Sequence, residues 1–139
     1  MDLDAWLGRL GLNPAPSSLE EIREALRVQT EQEHRSQGDG DTEWMRLCCV
    51  QLFHAGLLED VLRIWRAKRA SMDAAASIDV QFLCGAGLER TKESLASQAS
   101  DEARKALRYL EECEAAGDFE DFTVAGYLKR CAAYYGTQP

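Results

Sequence analysis

The sequence predicts an all-α protein: antiparallel helical hairpins packed as a compact bundle or a short α-solenoid, with about six to seven helices. Three observations lead there. Trp44–His54 is apolar almost all the way round, carrying Trp44, Met45, Leu47, Cys48, Cys49, Val50, Leu52 and Phe53. A helix with no wet face must be covered on most sides, so it belongs in the middle of the domain. Beyond the turn at Gly56, Leu58, Val61, Leu62 and Trp65 recur at i, i+3, i+4, i+7 within Leu58–Arg69, with Leu57 and Ile64 widening the stripe. Glu59, Asp60, Arg63 and Arg66 face away from it. Finally, no stretch reads as a strand.

At 139 residues the chain is expected to form one domain, 1–139. Residues 1–16 supply a short helix and a proline-containing linker, and 35–41 a flexible loop. An apolar fraction of 45% suffices for a core without metal or disulfides. The net charge of −8 argues against nucleic acid or an anionic membrane as partner, since both need clustered Lys and Arg. The five cysteines, Cys48, Cys49, Cys84, Cys113 and Cys131, are odd in number and fall at apolar helical positions. They read as buried free thiols in a reducing compartment. The acidic start MDLDAWLGRL lacks the features of a leader, and no run approaches the ~20 apolar residues of a membrane span. A cytoplasmic location is expected.

The elements follow in order. Leu3, Trp6, Leu7 and Leu10 give Leu3–Leu10 one apolar face, with Asp2 or Asp4 at its start and Gly11 as a stop. Asn13-Pro14-Ala15-Pro16 forces an extended path. Ser17 or Ser18, each with a glutamate three residues on, predicts a capping box opening a helix over Leu19, Ile22, Ala25 and Leu26. TEQEHRSQGDGD has no apolar face and is expected to fray into loop around Gly38-Asp39-Gly40. Thr42 or Asp41 caps the central helix. Ser71 caps another running to Leu83 or Cys84, ended by Gly85-Ala86-Gly87. Leu88–Leu95 is a short helix. Ser100, followed by Asp101 and Glu102, opens a helix buried through Ala103, Ala106, Leu107, Leu110 and Cys113, closed by Gly117. Asp118 is expected to cap the last helix, Phe119–Tyr135, before a Thr-Gln-Pro tail. The predicted anchors of the core are Trp44, Leu52, Phe53, Val61, Leu62, Trp65, Phe82, Leu107 and Leu110.

Ala-Gly pairs recur at Ala55-Gly56, Ala86-Gly87 and Ala116-Gly117, 31 and 30 residues apart. One helical hairpin per such period is the unit of an α-solenoid; an irregular bundle is the alternative, since glycine commonly follows a helix end. The segments LCCVQLFHAGLLEDVLRIWRAK and ALRYLEECEAAGDFEDFTVAGYL resemble the helix–Gly–helix heart of tetratricopeptide repeats. That resemblance implies a concave surface for a protein or peptide.

No motif carries chemistry. Gly-x-Ser-x-Gly, phosphate-cradling and dinucleotide-binding glycine patterns are absent, as are CxxC and HxxxH pairs. His34 lies in a polar stretch. His54, five residues from Cys49, reads as a structural histidine, and thiols in a core are inert. No catalytic residue, metal ligand or cofactor is therefore assigned. Asp79, amid Ser77, Ile78, Val80 and Phe82, reads as solvated alongside Asp73, or as partly buried and answered by Arg63 or Arg66.

Charge distribution rises above background. Arg63, Arg66, Lys68 and Arg69 gather at a helix C-terminus, where the dipole favours cations. Six of the eleven residues from Glu111 to Asp121 are acidic. Glu111, Glu112, Glu114, Asp118, Glu120 and Asp121, with Phe119 and Phe122 as aromatic anchors, form the candidate surface for a basic protein partner. The profile of size, acidity and helical content is similar to bacterial immunity proteins, and implies a non-enzymatic module that neutralises a basic toxin. The alternative is an adaptor or regulatory scaffold whose helical groove holds a peptide. A small carboxylate-dependent enzyme ranks last, because no base, nucleophile and metal set converges.

Overall fold

The computed structural model describes residues 1–137, which form eight α-helices and three 3-10 turns and no strand. Gln138 and Pro139 of the expected tail lie outside the described residues. The all-α reading holds, with slightly more helices than the six to seven expected.

Helix α1 (Leu3–Leu10) is capped by the Asp2 carboxylate, which accepts from the Ala5 N–H, and stops at Gly11 with φ +74°. Its Trp6 indole N–H donates to the buried Gln51 side chain at 2.9 Å, and the Gln51 amide donates to the Gly11 carbonyl at 2.8 Å. One glutamine thus fastens α1 to the central helix with both halves of its amide satisfied.

Helix α2 (Leu19–Arg35) departs from expectation at both ends. The capping box does not form: Pro16–Ser18 make a 3-10 turn that runs straight into the helix, and the Ser18 side chain accepts no cap bond. The polar half does not fray either. Glu33 is 1% exposed, and its carboxylate accepts from the N–H groups of Gly38 and Gly40 and from the Ser71 hydroxyl at 2.9, 3.1 and 2.5 Å. This carboxylate folds the following loop back onto the helix and ties it to a residue 38 positions away.

Helix α3 (Thr42–Ala55), capped by Asp41, buries Met45 and every side chain from Leu47 to Phe53, as its unbroken apolar circumference demands. Gly56 (φ +67°) ends it. The backbone there lies against Gly85, where an added Cβ would sit 2.4 Å from the Phe53 carbonyl oxygen. Gly85 is thus required by close approach.

After Gly56 the expected continuous helix is divided into a 3-10 turn, Leu58–Asp60, and α4 (Val61–Lys68). Two of its polar residues are not wet. Asp60 is fully buried and Lys68 is 8% exposed. Lys68 turns inward because α5 (Met72–Ser77) ends early, at Ile78 instead of Leu83 or Cys84. The ammonium donates to the carbonyls of Ala75, at 2.7 Å, and Ile78, satisfying acceptors that the helix end leaves free. The chain is extended at Asp79 and continues as a 3-10 turn, Val80–Cys84.

Helix α6 (Leu88–Ala96) and α7 (Asp101–Ala115), the latter capped by Ser100, pack as a pair. Helix α8 (Val124–Tyr135) begins after Thr123, whose hydroxyl accepts from the Gly126 N–H, so Asp118 is not its cap. Its Tyr127 closes a cluster with Phe53 and Phe82 at ring separations of 5.7–5.8 Å. Of the predicted anchors, Trp44, Leu62 and Leu107 are half-buried against the core, and the others are inside it. The three Ala-Gly pairs play different parts: Gly56 ends α3, Gly87 precedes the first residue of α6, and Gly117 lies in the turn after α7. Among the described residues no helix is long and apolar enough to cross a membrane.

Candidate functional site

The acidic stretch occupies the last turn of α7 and the linked turns that lead into α8. The Asp118 N–H bonds the Cys113 carbonyl, and those of Glu120 and Phe122 bond the carbonyls of Gly117 and Phe119. Asp121 sits at φ +58°, a left-handed conformation that an Asp tolerates better than most side chains. The Gln81 side chain donates to the Asp118 carbonyl at 2.7 Å and pins the segment to the 3-10 turn before α6. The result is a fixed ledge rimmed by exposed Glu111, Glu112, Asp118, Glu120 and Asp121.

The ledge differs from expectation in three residues. Glu114 is half-buried and accepts from Lys92 of α6 at 2.8 Å, so its charge is answered within the molecule. Phe119 is 8% exposed, its ring edge-on to Phe122 at 5.3 Å, with Phe122 in turn 5.8 Å from Tyr127. Phe119 is therefore core beneath the acids rather than an anchor offered to a partner, and Phe122 is half spent in the same contact. Apolar residues that flank a turn are drawn inward to cover the α8 seat. For Glu111, Glu112, Glu120 and Asp121 no ion pair forms among the described residues. A shallow cleft of about 200 Å³ lies beside Asp118 and Asp121, and Arg130 is its one guanidinium, stacked over Tyr127 at 4.9 Å.

Asp79 belongs to a separate polar network. It is partly buried, but neither Arg63 nor Arg66 answers it. The Tyr127 hydroxyl donates to its carboxylate at 2.5 Å, and the Arg46 guanidinium stands 3.8 Å away. Arg46 also donates to the Tyr135 hydroxyl at 2.8 Å and lies over the Tyr134 ring at 4.3 Å. This cluster clamps α8 onto α3, and burial raises the Tyr127 phenol above its ordinary range. Arg63 instead bonds Asp60, while Arg66 grips Glu102 of α7 through both oxygens, at 2.8 and 2.6 Å.

The sequence pointed less directly to a trough along α4, walled by α2 on one side and α7 on the other. Its middle section, about 470 Å³, is lined by Thr30, His34, Trp65, Arg69 and Lys105 together with the Arg66–Glu102 bridge. The cluster Arg63, Arg66, Lys68 and Arg69 was its visible signal. Reading those residues as a response to the helix dipole hid the fact that they diverge: Lys68 goes inward, Arg63 and Arg66 form bridges, and Arg69 lies over the Trp65 ring at 5.0 Å.

Nucleophilic chemistry finds no support in the thiols. All five cysteines are free and buried. Burial pushes Cys48 and Cys84 up to about 12 and Cys131 up to about 11, far from a thiolate at neutral pH. His54 is held below the usual histidine range by burial, and His34 is exposed at the trough rim. Among the described residues no three His, Cys, Asp or Glu side chains converge as a metal-binding group. No protein-family model, curated protein or solved structure matches the chain.

Proposed function

We propose that the chain is a non-enzymatic protein-binding module of the immunity type, which binds a basic toxin and neutralises it by covering its working surface. The observation that carries this reading is the ledge at the end of α7. Its carboxylates stand on a backbone fixed by its own hydrogen bonds, and several have no cation of the same molecule to answer them. Exposed charges of one sign on a fixed surface speed the encounter with an oppositely charged partner and set its orientation. The acids at the C-terminal end of α7 oppose the helix dipole, so helix stability does not account for them. Five free thiols suit a cytoplasmic setting, and the net charge of −8 disfavours nucleic acid as the ligand.

The test is capture of the tagged chain from its native cell, followed by expression of the captured protein alone and together with this chain. The reading expects a basic partner whose expression alone arrests growth and whose co-expression does not. A partner without basic character, or toxicity that co-expression fails to relieve, overturns it.

A further inference from the structure

The turn between α2 and α3 carries a chemically labile bond. Asp39-Gly40 is the chain's single Asp-Gly pair, and its one asparagine, Asn13, precedes a proline, which has no N–H to react. An aspartyl carboxyl is open to attack by the backbone nitrogen of the next residue, and glycine, with no Cβ, obstructs that approach least. The Gly40 nitrogen bonds to the Asp39 Cγ, and the carboxyl's hydroxyl leaves as water with the Gly40 amide proton. Water then opens the five-membered imide at either carbonyl. Opening at Cγ restores aspartate. Opening at the Asp39 backbone carbonyl gives isoaspartate, in which the main chain runs through the side chain and is one methylene longer. The reaction needs no oxidant, cofactor or second protein.

Asp39 is exposed, so its carboxyl is free to exchange protons and water. Gly40 is not free. Its N–H donates at 3.1 Å to the Glu33 carboxylate oxygen that also accepts from Gly38 at 2.9 Å, and Ser71 holds the other oxygen at 2.5 Å. Ring closure consumes the proton in that bond. The imide nitrogen carries no hydrogen, so a carboxylate only 1% exposed would lose one of its three donors. Space is equally short. A Cβ built on Gly40 would lie 2.6 Å from the Gln29 carbonyl oxygen and 2.8 Å from the Glu33 Cβ. The Gly40 backbone is therefore pressed onto α2 and has to leave it before its nitrogen swings towards the Asp39 side chain. Both flanks are tied as well: the Asp39 N–H bonds the Ser36 carbonyl at 3.0 Å, and the Asp41 N–H bonds the Gln29 side chain at 2.8 Å.

We infer that Asp39 is a site of spontaneous isoaspartate formation, and that Glu33 suppresses the reaction for as long as it holds the Gly40 N–H. Conversion reinforces itself. The added methylene displaces Gly40 from Glu33 and shifts Asp41, whose carboxylate caps α3 through the Trp44 N–H at 3.0 Å. One lesion thus loosens the joint between α2 and the central helix. The inference concerns the ageing of the chain and is independent of any partner at the ledge.

The test ages the full chain for several weeks at body temperature, folded in buffer and unfolded in guanidinium chloride. Isoaspartate is counted by enzymatic methyl transfer from S-adenosylmethionine and placed by peptide mapping. The folded wild type should convert at Asp39 about tenfold more slowly than the unfolded chain, the factor that one hydrogen bond to a charged acceptor supplies. E33A leaves both glycine N–H groups without their acceptor and should bring the folded rate within about threefold of the unfolded one. E33Q keeps a weaker, neutral acceptor and should fall between the two, which decides the matter if E33A does not fold. D39E should give no product at this position, because its longer side chain would have to close a six-membered ring. Folded wild type converting as fast as the unfolded chain overturns the inference. So does product mapped to other residues, or a folded Glu33 variant no faster than wild type; a slower one would make Glu33 the base that promotes the reaction.

Discussion

The corner where α2 meets α4 and the ledge at the end of α7 are both rich in carboxylates, and they use them in opposite ways. At the corner, Asp60 is fully buried. Arg23 reaches it with two nitrogens, at 2.8 and 3.0 Å, and Arg63 adds a third bond at 2.9 Å. At the ledge, Glu111, Glu112 and Glu120 stand in water with no such partner. A buried charge persists only when its lone pairs are satisfied, whereas an exposed one needs nothing from the fold. The corner acids therefore belong to stability. The ledge acids are free to belong to binding.

The sharpest way to break this contrast is to remove a buried charge. Asp60→Ala leaves Arg23 and Arg63 facing a void and should destabilise the protein by about 3–5 kcal/mol in chemical denaturation. A loss below about 1 kcal/mol would mean that water reaches the corner and that Asp60 is a surface acid like those of the ledge.

Glu33 gives an intermediate case with a pH signature. The Ser71 hydroxyl, followed by the N–H groups of Gly38 and Gly40, holds its carboxyl below the ordinary glutamate range. In the window between the folded and unfolded pKa the unfolded chain binds more protons. The stabilisation from Glu33 is thus complete above the unfolded value and is lost as pH falls through the folded one. Glu33→Gln should cost about 1.5–3 kcal/mol at neutral pH, the worth of hydrogen bonds to a charged acceptor. The gap between wild type and variant should narrow as the solution is acidified. A gap independent of pH would show that the amide loses packing and not charge.

The same comparison explains what the sequence could and could not disclose. Local periodicity found α1, α3, α4 and the buried face of α7, and side chains next to helix starts marked the caps Asp2, Asp41, Ser71 and Ser100. Those signals reside within a few residues of one another. Glu33 and Asp60 read as wet in the sequence because their partners are remote: Ser71 and Arg23 are 38 and 37 positions away. The polar half of α2 is helical for the same reason. Lys68 reads as a cation answering the helix dipole, and its acceptors, the Ala75 and Ile78 carbonyls, exist only because α5 ends early. The acids of the ledge were visible as composition, but the inward turn of Phe119 and the Lys92–Glu114 bridge depend on where α6 and α8 lie, which periodicity does not encode.

The smallest expected effect on stability is the one most informative about function. Glu111, Glu112 and Glu120 share no ion pair among the described residues, and those at the end of α7 sit against the helix dipole. Changing all three to Gln should leave the melting temperature unchanged or slightly raised. If the ledge receives a basic partner, stopped-flow association with the captured protein should slow in the triple variant, and its salt dependence should flatten, while dissociation changes little. Glu114→Gln is the control inside the same helix turn: its charge is already offset by Lys92, so it should disturb that bridge and hardly alter the association rate. Wild-type association of the triple variant at low salt would move the binding surface off the ledge. It would also remove the distinction between acids that fold the chain and acids that serve it.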